Sequence, residues 1–341
     1  MKSKIKNISG CSRTLNIEVS STELIEKFEQ VYKDIGRSAN LPGFRRGKAP
    51  RDLLELHYSE KAKEEVIRRA IPQYYLKAVN EERLTPVAPP EIENVQFKDH
   101  AFYFSARVDV RPEVKLKSYK GLRLKKRKVK VEAEQVEQAL ERLRQSKAKD
   151  AKNVDRQEKA LPELNDAFAQ DLGFATVQEL KDAIDKDLRA HTEMEIQREI
   201  KQQLLDQLLQ RASLDTPESL IKAQMQESLK QLKMNRMLRG EKKEDIETKQ
   251  KELEAEARKE AVQRIRLSFI LEEVGQLEDI QADEKGLAQR IAEISQHTGR
   301  PEDEVRQYLD KQNLIPGLKA ELREKKIIEF LLQEAKIEEE K

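Results

Sequence analysis

Along the first twenty residues apolar and polar positions alternate, with Ile5 and Ile8 in one run, Leu15, Ile17 and Val19 in the next, and Asn7, Ser9 and Gly10 between them. A period of two around turn formers predicts a β-hairpin. At Ser20 the period changes. Ser20-Ser21-Thr22-Glu23 offers a helix start, and Leu24, Phe28, Val31 and Tyr32 recur at helical spacing as far as Gly36. After Pro50 the pattern predicts a short helix with Leu53, Leu54 and Leu56 on its buried side. A longer helix from about Ser59 then carries Ala62, Val66, Ala70 and Leu76 to Val79. Pro86, Pro89 and Pro90 end it, and alternation returns over Glu91 to Val110, with Lys98-Asp99-His100 as the predicted turn of a second hairpin. Two hairpins around a block of helices make a small α+β domain with helices on one sheet face.

From residue 161 onward every predicted element is a helix. Thr176-Val177-Gln178-Glu179 has the form of a capping box, opening a long helix with Leu180, Ile184, Leu188, Ile196, Ile200, Leu204 and Leu208 on its apolar side. Thr216-Pro217 starts another, and Gly240 with a charged run separates it from a third, on which Leu253, Ala257, Ala261, Ile265, Ile270 and Val274 form the stripe. Shorter helices cover Ala282 to His297, closed by Gly299, and Pro301 to Leu309. A last one runs from Pro316 and ends in a charged tail. Between the two regions, Lys115 to Lys130 is basic and reads as a solvated connecting strand or else as one that touches RNA phosphates, and Val131 to Ala160 carries the spacing of one amphipathic helix through Val136, Ala139, Leu140 and Leu143. The predicted division is therefore 1–114, a linker and helix at 115–160, and a helical domain at 161–341.

One stretch fits neither period. Leu41-Pro42-Gly43-Phe44-Arg45-Arg46-Gly47-Lys48-Ala49-Pro50 holds two glycines and two prolines, which forbid a regular helix or strand. It reads as a loop that pushes Phe44, Arg45, Arg46 and Lys48 outward, or else as an ordinary basic turn with Phe44 tucked into its own domain. An exposed Phe among guanidinium and ammonium groups suits an acidic or RNA partner, because Arg grips carboxylate and phosphate bidentately while Phe supplies apolar area.

The loop resembles the ribosome-docking signature of the trigger factor family, in which Gly-Phe-Arg-x-Gly-Lys-x-Pro recurs. Ile71-Pro72-Gln73-Tyr74-Tyr75, Thr85-Pro86-Val87-Ala88-Pro89-Pro90 and Arg111-Pro112-Glu113-Val114 look like later landmarks of the same amino-terminal domain. The resemblance implies a mainly α, α+β architecture: a ribosome-binding domain followed by an elongated helical chaperone domain with arms, similar to the core of SurA-type chaperones. It further implies that Gly43, Phe44, Arg45, Arg46, Gly47 and Lys48 dock on the large ribosomal subunit, with Phe44 and Arg45 on ribosomal protein L23 and Arg46 close to rRNA. Clients would be unfolded nascent polypeptides, and the resemblance allows a homodimer off the ribosome. Family members normally carry an isomerase domain of the FK506-binding type before a segment like Leu161-Pro162-Glu163-Leu164-Asn165-Asp166-Ala167-Phe168. Here only Val131 to Ala160 is available, without aromatic residue or Gly, and so short and charged a stretch does not enclose an aromatic-lined pocket.

Composition changes the picture in two respects. Asp, Glu, Lys and Arg make up 38% of the 341 residues, against about 25% in ordinary domains, so much of the chain is predicted to be surface. The 66 basic and 64 acidic residues nearly balance, so any basic partner site is local. Cys11 is single, and His57, His100, His191 and His297 are scattered, which gives no zinc spacing. No catalytic residue, metal or cofactor is predicted. The absence of an apolar leader core or of a long apolar run predicts a soluble, cytoplasmic chain with no membrane partner. The reading is thus an ATP-independent chaperone that docks through the loop and shields clients in apolar grooves, where Met225, Met234 and Met237 are candidate contacts or else fill the space between helices. A prolyl isomerase and a non-catalytic helical scaffold are the two other readings.

Overall fold

The computed structural model describes residues 1–340 apart from Gly43, Arg46, Gly47, 99–100 and 156–162, and only the backbone of Ser21 and 148–155. Its elements in chain order are β1 (Lys2–Asn7), β2 (Ser12–Ser20), α1 (Ser21–Ser38), α2 (Arg51–Glu81), β3 (Glu91–Lys98), β4 (Ala101–Asp109), β5 (Lys115–Leu116), β6 (Arg123–Lys126), α3 (Ala133–Asp155), α4 (Asp166–Gln170), α5 (Val177–Arg211), β7 (Ala212–Ser213), α6 (Glu218–Leu238), α7 (Lys243–Thr248), α8 (Gln250–Leu277), α9 (Glu284–Thr298), α10 (Glu302–Lys311), α11 (Ile315–Gln333) and β8 (Lys336–Glu339). Helices dominate, and the fold is α+β. They form two compact units, Met1–Lys115 with Ser213–Phe269, and Leu116–Ala212 with Ile270–Lys341. Neither unit is one continuous stretch of chain.

In the first unit both predicted hairpins merge into one antiparallel sheet of order β1-β2-β4-β3. Leu15, Ile17 and Val19 stand directly opposite Ala106, Phe104 and Phe102, so the period of two places all six on one face. That face is buried, and α1 and α2 contribute Leu24, Val31, Ala62, Val66 and Ala70 to the same core. Phe102 lies 4.9 Å from Phe97 and 5.4 Å from Phe104, ring centre to ring centre, which adds to the burial. The register of β3 shifts between Glu93 and Gln96, at Asn94, whose φ of 54° is left-handed and tolerable for Asn. Part of the predicted turn, 99–100, lies outside the described residues.

Where two helices are predicted after Pro50, the structure has one, α2, of 31 residues. No Gly or Pro interrupts residues 56–59, and helical hydrogen bonding simply continues. Pro72 sits inside it and withholds one backbone N–H, while Leu56 and Leu76, expected on the buried side, are 73% and 59% exposed.

The helices of the first unit's second stretch dock on the end of the sheet. Ile221, Ala261, Ile265 and Phe269 form a buried cluster with Val87, Val114, Leu214 and Met225 at its margin. The N-cap of α6 is Pro217, which has no side-chain acceptor. Asp109, at the end of β4, supplies one: the Ser219 N–H donates to its carboxylate at 2.9 Å. A carboxylate at a helix start satisfies a free N–H and meets the positive end of the helix dipole. Nearby, Gly10 in the β1–β2 turn comes so close to Asp215 that an added Cβ would fall 1.5 Å from its Oδ2.

In the second unit, Leu140, Phe168, Ala169 and Leu180 make one cluster, and Leu287, Ile291 and Val305 another. The Glu179 N–H donates to Thr176 Oγ1 at 3.2 Å, while the Glu179 carboxylate accepts from the N–H of Ala175, one residue before the position a capping box requires. Gly299 closes α9 with φ 67°. The charged tail is not a tail. Lys336–Glu339 pairs in parallel with Arg123–Lys126, beside the fully buried Leu122 and Leu124. The basic stretch lies along α5, whose Gln203 accepts from the Lys125 N–H at 2.8 Å and donates to its carbonyl at 2.9 Å.

Burial alone would raise the Asp109 carboxyl, but hydrogen bonds from Ser219 and Ser12 and the charge of Arg107 outweigh it, leaving the group below its ordinary value. A depressed carboxyl contributes stability that is present above the unfolded value and lost as pH falls. Replacing it, Asp109→Ala, should cost about 1–2 kcal/mol at neutral pH by urea titration. The gap between wild type and variant should narrow once pH falls below about 4. An equal gap at both pH values would show that the carboxylate charge is not what docks α6.

Candidate functional site

The loop between α1 and α2 is fastened at both ends. At its start the Ala39 N–H donates to the Ile35 carbonyl at 2.7 Å, and Ala39 and Leu41 are both buried at 7% exposure. At its end Ala49 packs against the core, and Pro50 in extended conformation is the N-cap of α2, its carbonyl accepting from the Leu54 N–H at 3.2 Å. Within it, the Phe44 N–H donates to Leu41 and the Lys48 N–H to Arg45, at 3.1 and 3.0 Å. Phe44 is 40% exposed, and Arg45 and Lys48 are exposed. Phe44 is therefore not tucked into its own domain. Gly43, Arg46 and Gly47 lie outside the described residues.

The base of the loop is stiff. The guanidinium of Arg51 stands 3.8 Å from the centre of the Tyr32 ring and donates to Glu55 at 2.7 Å, tying the first turn of α2 to α1. Gly36 allows close approach of these helices, since a Cβ there would lie 3.1 Å from Leu54 Cδ1. Burial, ahead of the Glu55 charge, pushes the Tyr32 hydroxyl above its ordinary range and keeps it neutral. Among the described residues, Arg45 and Lys48 have no carboxylate within ion-pairing distance. A half-exposed aromatic ring beside two available cations is equipped to bind an anionic surface with an apolar spot.

The three methionines separate. Met225 is half-buried at the edge of the Ile221–Phe269 cluster and fills space between helices, whereas Met234 and Met237 are 54% and 46% exposed. Leu238, not singled out from the sequence, is 75% exposed beside them, and its spacing of one and four residues from the methionines was the available signal. Among the described residues, no three or more His, Cys, Asp or Glu side chains are placed to hold a metal ion. Cys11 is buried, and burial, with Asp109 and Asp215 nearby, raises its thiol. No described helix is long and apolar enough to cross a membrane.

Residues 1–143 match the family model of bacterial trigger factor protein (TF), and residues 176–333 match that of its C-terminus. The trigger factor of Syntrophotalea carbinolica is 25% identical over 424 aligned positions, covering 99% of this chain and 97% of its own. That of Mycobacteroides abscessus is 26% identical over 423 positions, covering 99% and 86%. Both alignments are longer than the 341 residues of this chain, so each relative carries sequence that it lacks. A solved structure described as "Promiscuous Substrate Recognition in Folding and Assembly Activities of the Trigger Factor Chaperone" superposes with a TM-score of 0.62 over 98% of this chain and 99% of that one, at 16% identity, which shows a shared fold.

The burial pattern separates anchor from presented residue. Leu41→Ala should lower stability by about 2 kcal/mol or more, as for other buried leucines. Phe44→Ala should change it by less than about 1 kcal/mol, since surface substitutions are usually near neutral. Denaturant titration of both variants checks this, and a large loss for Phe44→Ala would place that ring in the core.

Proposed function

The chain belongs to the trigger factor family, and from that premise we propose that it is a chaperone which docks at the ribosomal tunnel exit through the 43–50 loop and shields emerging chains on its helices. The observation that carries this reading is the loop itself: buried at Leu41, capped at Pro50, and holding Phe44, Arg45 and Lys48 out to solvent on a rigid helix pair. A structural connection has no use for an exposed Phe at its tip. A docking anchor does, because a ring that fills a partner's pocket and a guanidinium that meets an acidic group are the side chains on which interface energy concentrates. Gly43, Arg46 and Gly47 belong to the same proposed contact. The large ribosomal subunit, with one of its proteins under Phe44 and Arg45 and rRNA near Arg46, is the proposed partner.

Client binding is assigned to Met234 and Met237, with Met225 supporting them from within the helix pair. Unbranched thioether side chains adapt to differently shaped apolar partners, which suits a promiscuous surface. The action is binding alone, without nucleotide or metal. The family models leave only residues 144–175 between them, and the described part of that stretch is the end of α3, α4 and short connections. It supplies no sheet to line a proline pocket, so the protein is proposed not to be an isomerase.

Cosedimentation with ribosomes tests docking. Replacing Phe44, Arg45 and Arg46 by alanine should weaken binding by about 2 kcal/mol, or about thirtyfold, without changing helical content. Unaltered affinity of the folded variant would remove the docking assignment. The isomerase question has its own assay. Uncatalysed X-Pro isomerisation takes tens to hundreds of seconds, so even modest catalysis stands out, and a prolyl peptide should isomerise at the background rate at every protein concentration. A saturable acceleration that copurifies with the chain would overturn the non-enzymatic reading.

A further inference from the structure

The sheet of the first unit has a second face, turned away from the core. Register sets Lys2, Glu18, Tyr103 and Gln96 in one row across it, Lys4, Asn16, Ser105 and Glu93 in the next, and Lys6, Thr14, Arg107 and Glu91 in a third. Charge is therefore graded across the face: three lysines on edge strand β1, mostly amides and hydroxyls in the middle, and Glu91 and Glu93 on the opposite edge. Lys2 reaches Glu18 only at 3.9 Å, and Lys4 and Lys6, both exposed, have no carboxylate within ion-pairing distance among the described residues. Glu91 is drawn to Lys222 at 3.7 Å. Over the first two rows lies a hollow of about 280 Å³, lined among others by the half-buried Tyr103 and Ser105 and by Asn16, Asn94, Gln96 and Lys4. The Ser105 hydroxyl donates to Asn16 Oδ1 at 2.9 Å, which leaves the NH2 of that amide to donate elsewhere.

We propose that this face binds a single strand of RNA, with phosphates along β1 and a base over Tyr103 in the hollow. Lysines two residues apart on a strand are about 6.8 Å apart, a spacing at which successive lysines meet successive phosphates of an extended strand. Tyr103 stands two strands from β1, about 10 Å across the sheet, within reach of a base whose backbone follows the lysines. The glutamates on the far edge repel phosphate, so the field across the face sets which side the backbone takes. Asn16, Asn94 and Gln96 offer donors and acceptors to a base edge, and the ring offers a stacking surface. An acidic peptide would use the lysines and leave the ring and amides idle, which is why RNA is favoured. The choice of RNA over DNA alone rests on the ribosome reading above, and the site contains no residue of the 43–50 loop.

The test follows the full chain by fluorescence anisotropy with three labelled probes: a single-stranded RNA of about ten nucleotides, DNA of the same sequence, and an aspartate-rich peptide. RNA should bind most tightly and weaken steeply as salt is raised. Changing Lys2, Lys4 and Lys6 together to alanine should cost at least about tenfold and make the slope of log affinity against log salt shallower by about two. Tyr103→Leu should weaken binding about fivefold or more, while Tyr103→Phe, which keeps the ring, should retain it. Circular dichroism confirms that each variant remains folded. Ultraviolet crosslinking and peptide mapping should place the RNA adduct within residues 101–109. No RNA binding, tighter binding of the peptide, or affinity untouched by the lysine and Tyr103→Leu changes overturns the proposal and leaves ribosome docking standing. An adduct confined to 41–50 assigns the RNA to the docking loop and overturns the site, and DNA bound as tightly as RNA overturns the choice of RNA.

Discussion

The pairing of β2 with β4 is the contact on which the first unit depends. It joins residues 12–20 to residues 101–109 in unbroken antiparallel register, closing a long stretch of chain, and its inner face supplies Leu15, Ile17, Val19, Phe102 and Phe104 to the core. Loop-closure entropy opposes such a contact, and burial of a continuous apolar face overcomes it. Both proposed working parts of this unit hang from the two ends of that pair. At one end Ser20 leads into α1, whose partner α2 fixes the far end of the docking loop. At the other end Asp109 caps α6, the helix that carries the exposed methionines.

Charge is abundant, and most of it does little for stability. Many ion pairs are short-range contacts along a single exposed helix, such as Arg51 with Glu55, Lys63 with Glu60 and Arg189 with Asp185. Exposed pairs of this kind are worth about 0–1 kcal/mol. A few act between elements and have a positional effect. Arg258 grips Glu218 with two hydrogen bonds of 2.8 and 2.9 Å, holding α8 against the start of α6, and Arg127 spans Glu195 and Glu199 beside β6. Arg45 and Lys48 lack such partners among the described residues and stand beside the exposed Phe44 ring.

The two surfaces also differ in rigidity by construction. The loop is braced at Leu41, Ala49 and Pro50 and underpinned by Arg51 on Tyr32, which favours one partner met in one geometry. The end of α6 presents methionines and a leucine on the outside of a helix, with no walls to impose a shape, which favours many partners held loosely. A chaperone that docks specifically and holds clients without choosing a single sequence needs both kinds of surface.

Much of the local structure was legible in the sequence, because it is built from contacts a few residues long. Alternation placed both hairpins, Thr176 and Gly299 marked helix ends through caps that form within one turn, and the Gly and Pro content of 41–50 marked a loop whose Phe44 side chain is indeed exposed. Local signals failed where a distant partner decides. Residues 336–339 read as a charged tail because a strand's hydrogen bonds are made by backbone, and their partner lies two hundred residues away at 123–126. The continuity of α2 past Ser59 was missed since no residue there argues for or against a break, and packing on α1 and the sheet favours the unbroken helix. Spacing gave the methionines a common helix, but could not say which of them a second helix would cover. Only the tertiary structure decided that Met225 is half-buried while Met234, Met237 and Leu238 are not, and that 213–269 groups with the first 115 residues, because burial is a property of what lies opposite a side chain and the sequence fixes only what lies beside it.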